Sequence, residues 1–268
     1  MSITSEQAMN GEPYKNFRPD YARKAANTVL NLDRLEKLTL WPDIYGVYRT
    51  LFCQIVGPSL KYFELIDTPE FVAVVDTLIN SQPQLETLKL SHISIGSDEE
   101  NNSRAVQCLM RLLEEYTATS LPGSGKTKKL TNIMFDSCHF ISNDVLDVIV
   151  NIKTIKGLSF KGTSRITAQG LKDFFIKLKK QNVPITTLRL GGNEGCGGCQ
   201  DISGYSSTME EYLEELYLEN IPGITGDDIK AMIDSAKKLD VLSVVECDID
   251  SKDIVTFVNN INRKFKHI

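Results

Sequence analysis

The amino-acid sequence predicts an α/β solenoid, in which repeated strand–helix units stack along one axis. One pattern carries most of this prediction: apolar, two variable residues, apolar, one variable residue, apolar. It occurs eight times, and its middle apolar residues lie 25, 25, 45, 25, 30, 28 and 26 positions apart. A period in this range is typical of stacked repeats rather than of a closed globule. Helix-start residues follow most of the copies, so each repeat is predicted to pair a strand with a helix.

Each copy is predicted to form a short strand. Its last two apolar residues are two positions apart, so both side chains point to one face of the strand and can be buried. The residues between them then face the other way. The eight copies are Leu35/Leu38/Leu40, Leu60/Phe63/Leu65, Leu85/Leu88/Leu90, Leu130/Ile133/Phe135, Ile155/Leu158/Phe160, Ile185/Leu188/Leu190, Leu213/Leu216/Leu218 and Leu239/Leu242/Val244.

Helices are predicted where a capping residue precedes apolar residues at helical spacing. Thr225 with Asp228 three positions later resembles a capping box. Arg104–Tyr116 is predicted to be a helix from its apolar periodicity alone. The capped helices are Phe71–Ile79 after Thr68-Pro69, Val145–Val150 after Ser142, Leu171–Leu178 after Thr167, Ile229–Ala236 after Thr225 and Ile254–Ile261 after Ser251.

Three segments depart from the repeat. We expect two domains of unequal size: residues 1–31 as an N-terminal segment, and residues 32–268 as the repeat domain. Asp20–Leu32 is predicted to be a capping helix, because terminal repeats need a cover for their exposed edge. Thr117–Lys129, rich in Gly, Ser, Thr and Lys, is predicted to be an inserted loop. Gly191–Ser207 has many glycines and serines and no clear helix.

Composition narrows the class of protein. The hydrophobic fraction is 41%, which is ordinary for a folded domain, and the net charge is −5 with acids and bases interspersed. That balance argues against a nucleic-acid surface. The first twenty residues have no apolar core, and no apolar stretch approaches the ~20 residues that span a bilayer. We therefore expect a cytoplasmic or nuclear protein, without membrane partners, whose six cysteines are reduced.

The ninth position of the repeats adds a family resemblance. It is Cys138, Asn193 and Cys247 in the fourth, sixth and eighth copies, and Asp, Thr or Ile in the others. With these residues the chain resembles the leucine-rich-repeat proteins from about Leu32 onward. The period resembles the helix-containing kinds, either ribonuclease-inhibitor-like or F-box-associated. The resemblance implies a horseshoe with a parallel concave sheet, convex helices and about eight irregular repeats.

Two motifs suggest other chemistry, and each has a simpler explanation. Pro122–Thr127 (PGSGKT) resembles the end of a phosphate-binding loop, but Ser120 stands where the first glycine belongs. That segment also follows a helix and precedes a strand, the reverse of a phosphate-binding loop. Cys196 and Cys199 form a CxxC pair without a second pair to complete a zinc site. We expect a solvated loop and a glycine-rich turn, and no cofactor or metal.

No arrangement of nucleophile, base and acid is evident around the three histidines, so we expect no enzyme activity. The outward positions of the strands are the better candidates, because the resemblance places them on the concave surface. Aromatic and arginine side chains dominate protein-binding hot spots. The function predicted from the sequence is therefore a non-enzymatic scaffold that binds a partner protein. The candidate binding residues are Trp41, Tyr62, Lys89, His92, Arg189, Tyr217 and Glu219.

Two alternatives remain open at this point. F-box proteins carry similar irregular repeats, so the chain could be the substrate-recognition subunit of a ubiquitin ligase, although residues 1–31 are short and polar for a complete F-box. The second alternative is a metal- or nucleotide-dependent protein that uses the CxxC pair or the loop around Lys126. The sequence gives neither the partner nor the oligomeric state.

Overall fold

The structure is a computed structural model, and it describes residues 35–40, 56–68, 70–96, 98–117, 128–192, 211–221, 224–247 and 249. Several predictions therefore lie outside the described residues. They concern the capping helix at 20–32, the candidate Trp41, most of the 117–129 loop, the CxxC pair and the helix at 254–261.

The chain divides into two compact units, Met1–Phe140 and Ile141–Ile268. In both units, strands alternate with helices. The first unit contains β1 Lys37–Leu40, β2 Tyr62–Ile66, α1 Phe71–Ser81, β3 Thr87–Ser91, α2 Glu99–Glu114 and β4 Asn132–Asp136. The second contains α3 Asn143–Ile149, β5 Gly157–Lys161, α4 Ala168–Lys180, β6 Thr187–Gly191, β7 Glu215–Glu219, α5 Gly226–Ser235 and β8 Val241–Val245.

The strands of each unit are parallel and follow the order of the chain. Their register aligns the middle apolar residues of the repeats. In the first unit Leu38 lies beside Phe63 and Phe63 beside Leu88. In the second, Leu188 lies beside Leu216. The prediction of an α/β protein with one parallel strand in each of the eight copies is confirmed.

A backbone hydrogen-bond pattern recurs where the strands begin. The amides of Lys61 and Tyr62 both donate to the carbonyl of Glu36, each over 2.9 Å. Two consecutive amides share one carbonyl of the preceding repeat in the same way at five further places. The other accepting carbonyls belong to Lys61, Glu86, Lys156, Thr186 and Glu214. Repeats of unequal length therefore begin their strands with one common geometry.

The strands also end in a common way. The residue after β2, β3, β4, β5, β7 and β8 has a positive φ, a conformation that favours glycine and, to a lesser degree, Asn and Asp. These residues are Asp67, His92, Ser137, Gly162, Asn220 and Glu246. The amide of His92 donates to the carbonyl of Asp136 over 2.7 Å, and the amide of Asn220 to that of Val245 over 2.8 Å. The turn thus extends the ladder by one bond before the chain leaves the strand layer.

The core of each unit lies between the strands and the helices. Phe63 of β2, Phe71 of α1 and Phe135 of β4 are fully buried in the first unit. In the second, the rings of Phe160 in β5 and Phe174 in α4 meet at a centroid distance of 6.0 Å. Full burial of one such side chain stabilises the folded state by ~1.5–3 kcal/mol. This packing covers one face of the strands and leaves the other face outward.

The helix starts show which capping predictions hold. Thr167 accepts a hydrogen bond from the amide of Gly170, and Thr225 with Asp228 forms a complete capping box. The cap predicted at Thr68-Pro69 is wrong, because α1 is capped by Glu70 without a side-chain bond. Ser142 caps α3, also without such a bond.

Helix α2 begins earlier than its apolar periodicity predicts. Its N-cap is Asp98, whose carboxylate accepts from the amide of Glu100, and the helix starts at Glu99 rather than at Arg104. Acidic residues in a first turn are stabilised by the positive end of the helix dipole. No helix among the described residues is long and apolar enough to cross a bilayer.

Candidate protein-binding surface

The candidate site is the outward strand face, which consists of the residues at the strand positions that alternate with the buried apolar residues. In the first unit these residues are Lys37 and Thr39; Tyr62, Glu64 and Ile66; Thr87, Lys89 and Ser91; and Asn132, Met134 and Asp136. In the second they are Gly157, Ser159 and Lys161; Thr187, Arg189 and Gly191; Glu215, Tyr217 and Glu219; and Val241, Ser243 and Val245. At three of these positions, Ser91, Gly157 and Gly191, the residue is itself buried.

Four of these side chains form one connected group in the first unit, the Tyr62 quartet. Lys37 lies opposite Tyr62, and its Nζ sits 4.3 Å from the centre of the tyrosine ring. The Tyr62 hydroxyl donates to Oε2 of Glu64 over 3.0 Å. Oγ1 of Thr39 donates to the same oxygen over 3.2 Å. The ring is thus held at its hydroxyl end and covered by a cation on one face.

Two members of the quartet, Tyr62 and Glu64, have shifted pKa values. Partial burial, with the hydrogen bond to Glu64 and the charge of that carboxylate, raises the pKa of Tyr62 to about 12. Burial alone would raise the pKa of Glu64 as well. Hydrogen bonds from Lys89 and Tyr62 outweigh it and lower the pKa of Glu64 below its usual value. Glu64 therefore stays ionised and fixes the orientation of Tyr62.

The second unit repeats the arrangement in the Tyr217 quartet. The guanidinium carbon of Arg189 lies 4.2 Å from the centre of the Tyr217 ring, and the two residues are register partners. The Tyr217 hydroxyl donates to Oε2 of Glu215 over 3.2 Å, and Oγ1 of Thr187 donates to that oxygen over 3.5 Å. As in the first unit, a cation lies over a tyrosine ring, and a glutamate accepts hydrogen bonds from the hydroxyls of the tyrosine and a threonine.

The two quartets run in opposite directions along their strands. Lys37 precedes Thr39 and Tyr62 precedes Glu64, whereas Thr187 precedes Arg189 and Glu215 precedes Tyr217. Each cation nevertheless lies on the strand before its tyrosine, directly opposite it. The shared feature is therefore an arrangement across two strands and not a repeated sequence.

Neither stacked cation is used in an ion pair within the described part of the chain. No carboxylate there lies within 4.0 Å of Lys37 or Arg189. Both side chains are exposed and lie against an aromatic ring. A guanidinium that lies over an aromatic ring and has no carboxylate partner keeps N–H groups available for a carboxylate or a phosphate.

Two further cations on this face, Lys89 and Lys161, are neutralised. Nζ of Lys89 lies 2.7 Å from Oε1 of Glu64. Nζ of Lys161 lies 2.6 Å from Oε1 of Glu219, two strands away. Lys161 reaches that far because Gly191, between them, has no side chain in its path.

Five of the seven candidate residues take part in these contacts: Tyr62, Lys89, Arg189, Tyr217 and Glu219. The side chain of His92 is exposed at the end of β3, as expected for a surface contact. Trp41 lies outside the described residues. The sequence pattern predicts an outward position for Lys37, Glu64 and Glu215, but it did not identify them as candidate binding residues. The signal available was only their alternation with buried residues.

Metal-binding groups and reactive thiols were the other candidates for chemistry in the sequence. No group of three or more His, Cys, Asp or Glu side chains in that part of the chain could hold a metal ion. Burial raises the pKa of both Cys108 and Cys138 to about 12, so these thiols stay protonated and poorly nucleophilic. Cys196, Cys199 and residues 1–31, which bear on the metal and F-box alternatives, are outside the described residues, and both alternatives stay predictions.

No protein-family model matches the chain, and no curated protein resembles it at a significant level. The fold and the site together define an α/β protein of parallel strand–helix repeats, in which the outward strand face of each unit carries one cation–tyrosine quartet.

Proposed function

We propose that this chain is a leucine-rich-repeat protein of the helix-containing kind and that it binds a partner protein through its outward strand face. The observation that carries the binding proposal is the pair of quartets. Each holds an exposed cation against a tyrosine ring whose hydroxyl is already hydrogen-bonded. Pre-ordered aromatic and cationic side chains lose little entropy on binding, which makes them effective anchors.

The repeat assignment rests on backbone geometry as well as on sequence. Six strand starts share one hydrogen-bond pattern although the repeat length varies. Cys138, at the ninth position of its copy, is buried, and its thiol donates to the carbonyl of Asp136 over 3.4 Å. A small polar side chain that satisfies the backbone at the turn is what the resemblance implies for this position.

The proposed mechanism is presentation by a rigid support. Buried leucines and phenylalanines fix the strands, and the strands fix the spacing of the outward side chains. A partner would meet ordered anchors rather than mobile side chains. The proposed function requires no bond-making step.

Affinity capture from the native source tests this function. Tyr62→Ala and Arg189→Ala should each weaken capture of the specific partner, by ~2 kcal/mol or about thirtyfold. Lys237→Ala and Arg104→Ala change exposed cations on or beside helices and serve as matched controls. Circular dichroism establishes that every variant is folded. Loss of the partner in the control variants, with retention in the outward-face variants, would place the binding surface elsewhere.

A further inference from the structure

The outward strand face of the second unit changes chemically from β5 to β8. Its cations, Lys161 and Arg189, come from β5 and β6. Both carboxylates, Glu215 and Glu219, come from β7. β8 contributes only Val241, Ser243 and Val245 to this face, where Val241 is 39% and Val245 is 47% exposed. A partner that crosses the strands in this order meets a basic zone, an acidic zone and an apolar zone.

One pair of opposite charges on this face is already matched within the protein. Glu219 pairs with Lys161 over 2.6 Å. Glu215 accepts hydrogen bonds from Tyr217 and Thr187. Among the described residues, only the Arg189 guanidinium has no carboxylate partner there, although it is stacked and oriented by Tyr217. Arg189 is therefore an unpaired cation at β6 that can take an anion, whereas Glu215 on β7 has no cation within 4.0 Å among the described residues and would repel a second carboxylate placed over it.

The exposed valines provide a second, apolar contact. Val241 and Val245 are register partners of Glu215 and Glu219, so they face the same way as the Tyr217 quartet. Exposed valines at both ends of one short strand leave apolar area that binding can remove from water. Ser243 lies between them, beside Tyr217.

Strand spacing sets the distance between the two contacts. Neighbouring strands lie about 4.8 Å apart, so β6 and β8 are separated by about 10 Å. An extended peptide advances about 3.3 Å per residue, so three residues cover that distance.

We propose that the occupant is an extended acidic segment of a partner protein. Its carboxylate is bound by Arg189, and an apolar side chain three positions away packs on Val245, the more exposed of the two valines. The residues between them, which cross the acidic zone on β7, are not acidic. This inference rests on the proposed function and adds to it the chemistry and spacing of the partner.

A random dodecapeptide display library, selected on the full chain, tests the inference without knowledge of the natural partner. Selected peptides should contain Asp or Glu with an apolar residue three positions away, in one or the other direction. The peptide that binds most tightly is then synthesised, and its dissociation constant is measured by fluorescence anisotropy. Replacement of its acid by Asn or Gln should weaken binding about tenfold or more.

Protein variants locate the contact. Arg189→Ala should weaken binding of that peptide about tenfold or more, and should remove most of its preference for the acid over the amide. Arg189→Lys should bind the peptide more tightly than Arg189→Ala but less tightly than the wild type, because lysine keeps the positive charge but cannot form bidentate hydrogen bonds to a carboxylate. Val245→Ser should weaken binding several-fold. Arg104→Ala, at an exposed arginine of α2, should leave it unchanged.

The outcomes separate this inference from the function on which it rests. Peptides that lack an acid, yet lose affinity with Lys37→Ala or Tyr62→Ala, would overturn the inference and leave outward-face binding intact. Peptides insensitive to every outward-face variant would count against both. Failure to select any peptide would contradict the inference, since it requires a short linear segment to suffice.

Discussion

At the scale of single residues, Gly191 allows a lysine to cross a whole strand. A β-carbon at position 191 would lie 2.6 Å from Cγ of Lys161, closer than real contacts allow. Without it, Lys161 passes over β6 to Glu219. The glycine is therefore used for space rather than for an unusual backbone conformation.

Gly191→Ala should stabilise the protein less than an ordinary Gly→Ala change, or destabilise it. Substitution at a compatible glycine usually gains ~0.4–1 kcal/mol by restricting the unfolded chain. Gly57→Ala is the matched control, because a β-carbon there meets nothing within 4 Å. The unfolding midpoint in urea measures both. If Gly191→Ala were as stable as Gly57→Ala, the contact with Lys161 would have no influence on stability.

The hydroxyl of Tyr62 should lose its proton at an unusually high pH. Its folded-state pKa is about 12, above the usual value of 10, so the interactions that favour its protonated form stabilise the fold below pH 10 and lose this contribution as the pH rises toward 12. Tyrosinate absorbance near 295 nm, taken as wild type minus Tyr62→Phe, should rise near pH 12. In denaturant the same difference should rise near pH 10. If the absorbance difference between the two folded proteins instead rose near pH 10, the Tyr62–Glu64 contact would be contradicted.

At the scale of secondary-structure elements, one side chain joins the starts of α3 and α4. Asn143 Nδ2 donates to Oγ1 of Thr167 over 3.0 Å, and its Oδ1 accepts from the Thr167 amide over 3.1 Å. Thr167 in turn caps α4 through the amide of Gly170. A β-carbon at Gly170 would lie 2.1 Å from Oδ1 of Asn143. The glycine therefore leaves room for the asparagine.

The effect of Gly170→Ala should change sign with the residue at 143. In the wild type, alanine displaces Asn143 and breaks its two bonds to Thr167, so we expect a loss of about 1 kcal/mol. In Asn143→Ala the space is free, and the helix preference of alanine over glycine should yield a gain of up to ~1 kcal/mol. Chemical denaturation of the four proteins gives the double-mutant cycle. Equal effects in both backgrounds would contradict this arrangement.

Elements with local signals were predictable from the sequence. The capping box at Thr225 and the cap at Thr167 depend on residues within three positions, and both were predicted. The start of α2 was missed because its first turns, from Glu99 to Ser103, are polar and carry no apolar periodicity. The residues with positive φ after the strands were also missed, because glycine is the usual sequence signal for that conformation and five of the six are not glycine.

The quartets illustrate a second limit. Lys37 and Tyr62 are 25 positions apart, Arg189 and Tyr217 are 28 apart, and the order along the strands is reversed between them. Each member was placed on the outward face by alternation alone. Their grouping depends on the register between strands and on side-chain rotamers, which no local sequence pattern specifies.

At the scale of the whole molecule, the repeat of apolar residues determines the fold. The middle leucines of β6 and β7 are 0% and 2% exposed and are register partners, so a change in either disturbs the same layer of core. Interfaces between adjacent repeats carry much of the stability of such proteins. The period was visible in the sequence because burial requires an apolar residue at the same place in each strand.

Leu188→Ala and Leu216→Ala should each lower the free energy of unfolding by ~2–5 kcal/mol, from lost burial and an incompletely filled cavity. Arg189→Ala, next to Leu188 but exposed, should change it little. Guanidinium denaturation followed by circular dichroism provides the comparison. Wild-type midpoints for both leucine variants would show that these two side chains do not lie in the core as register partners.

Photo-crosslinking tests the central proposal, that the outward strand face is the binding surface, most directly. A benzophenone amino acid is placed at Ser159 or Ser243, the register neighbours of Arg189 and Tyr217, or at the exposed helix residue Lys230 as a control. Each tagged variant is irradiated in extract from the native source. We expect one specific crosslinked product from the two strand positions and none from Lys230. A specific product from Lys230 alone, or none from the strand positions, would contradict the proposal.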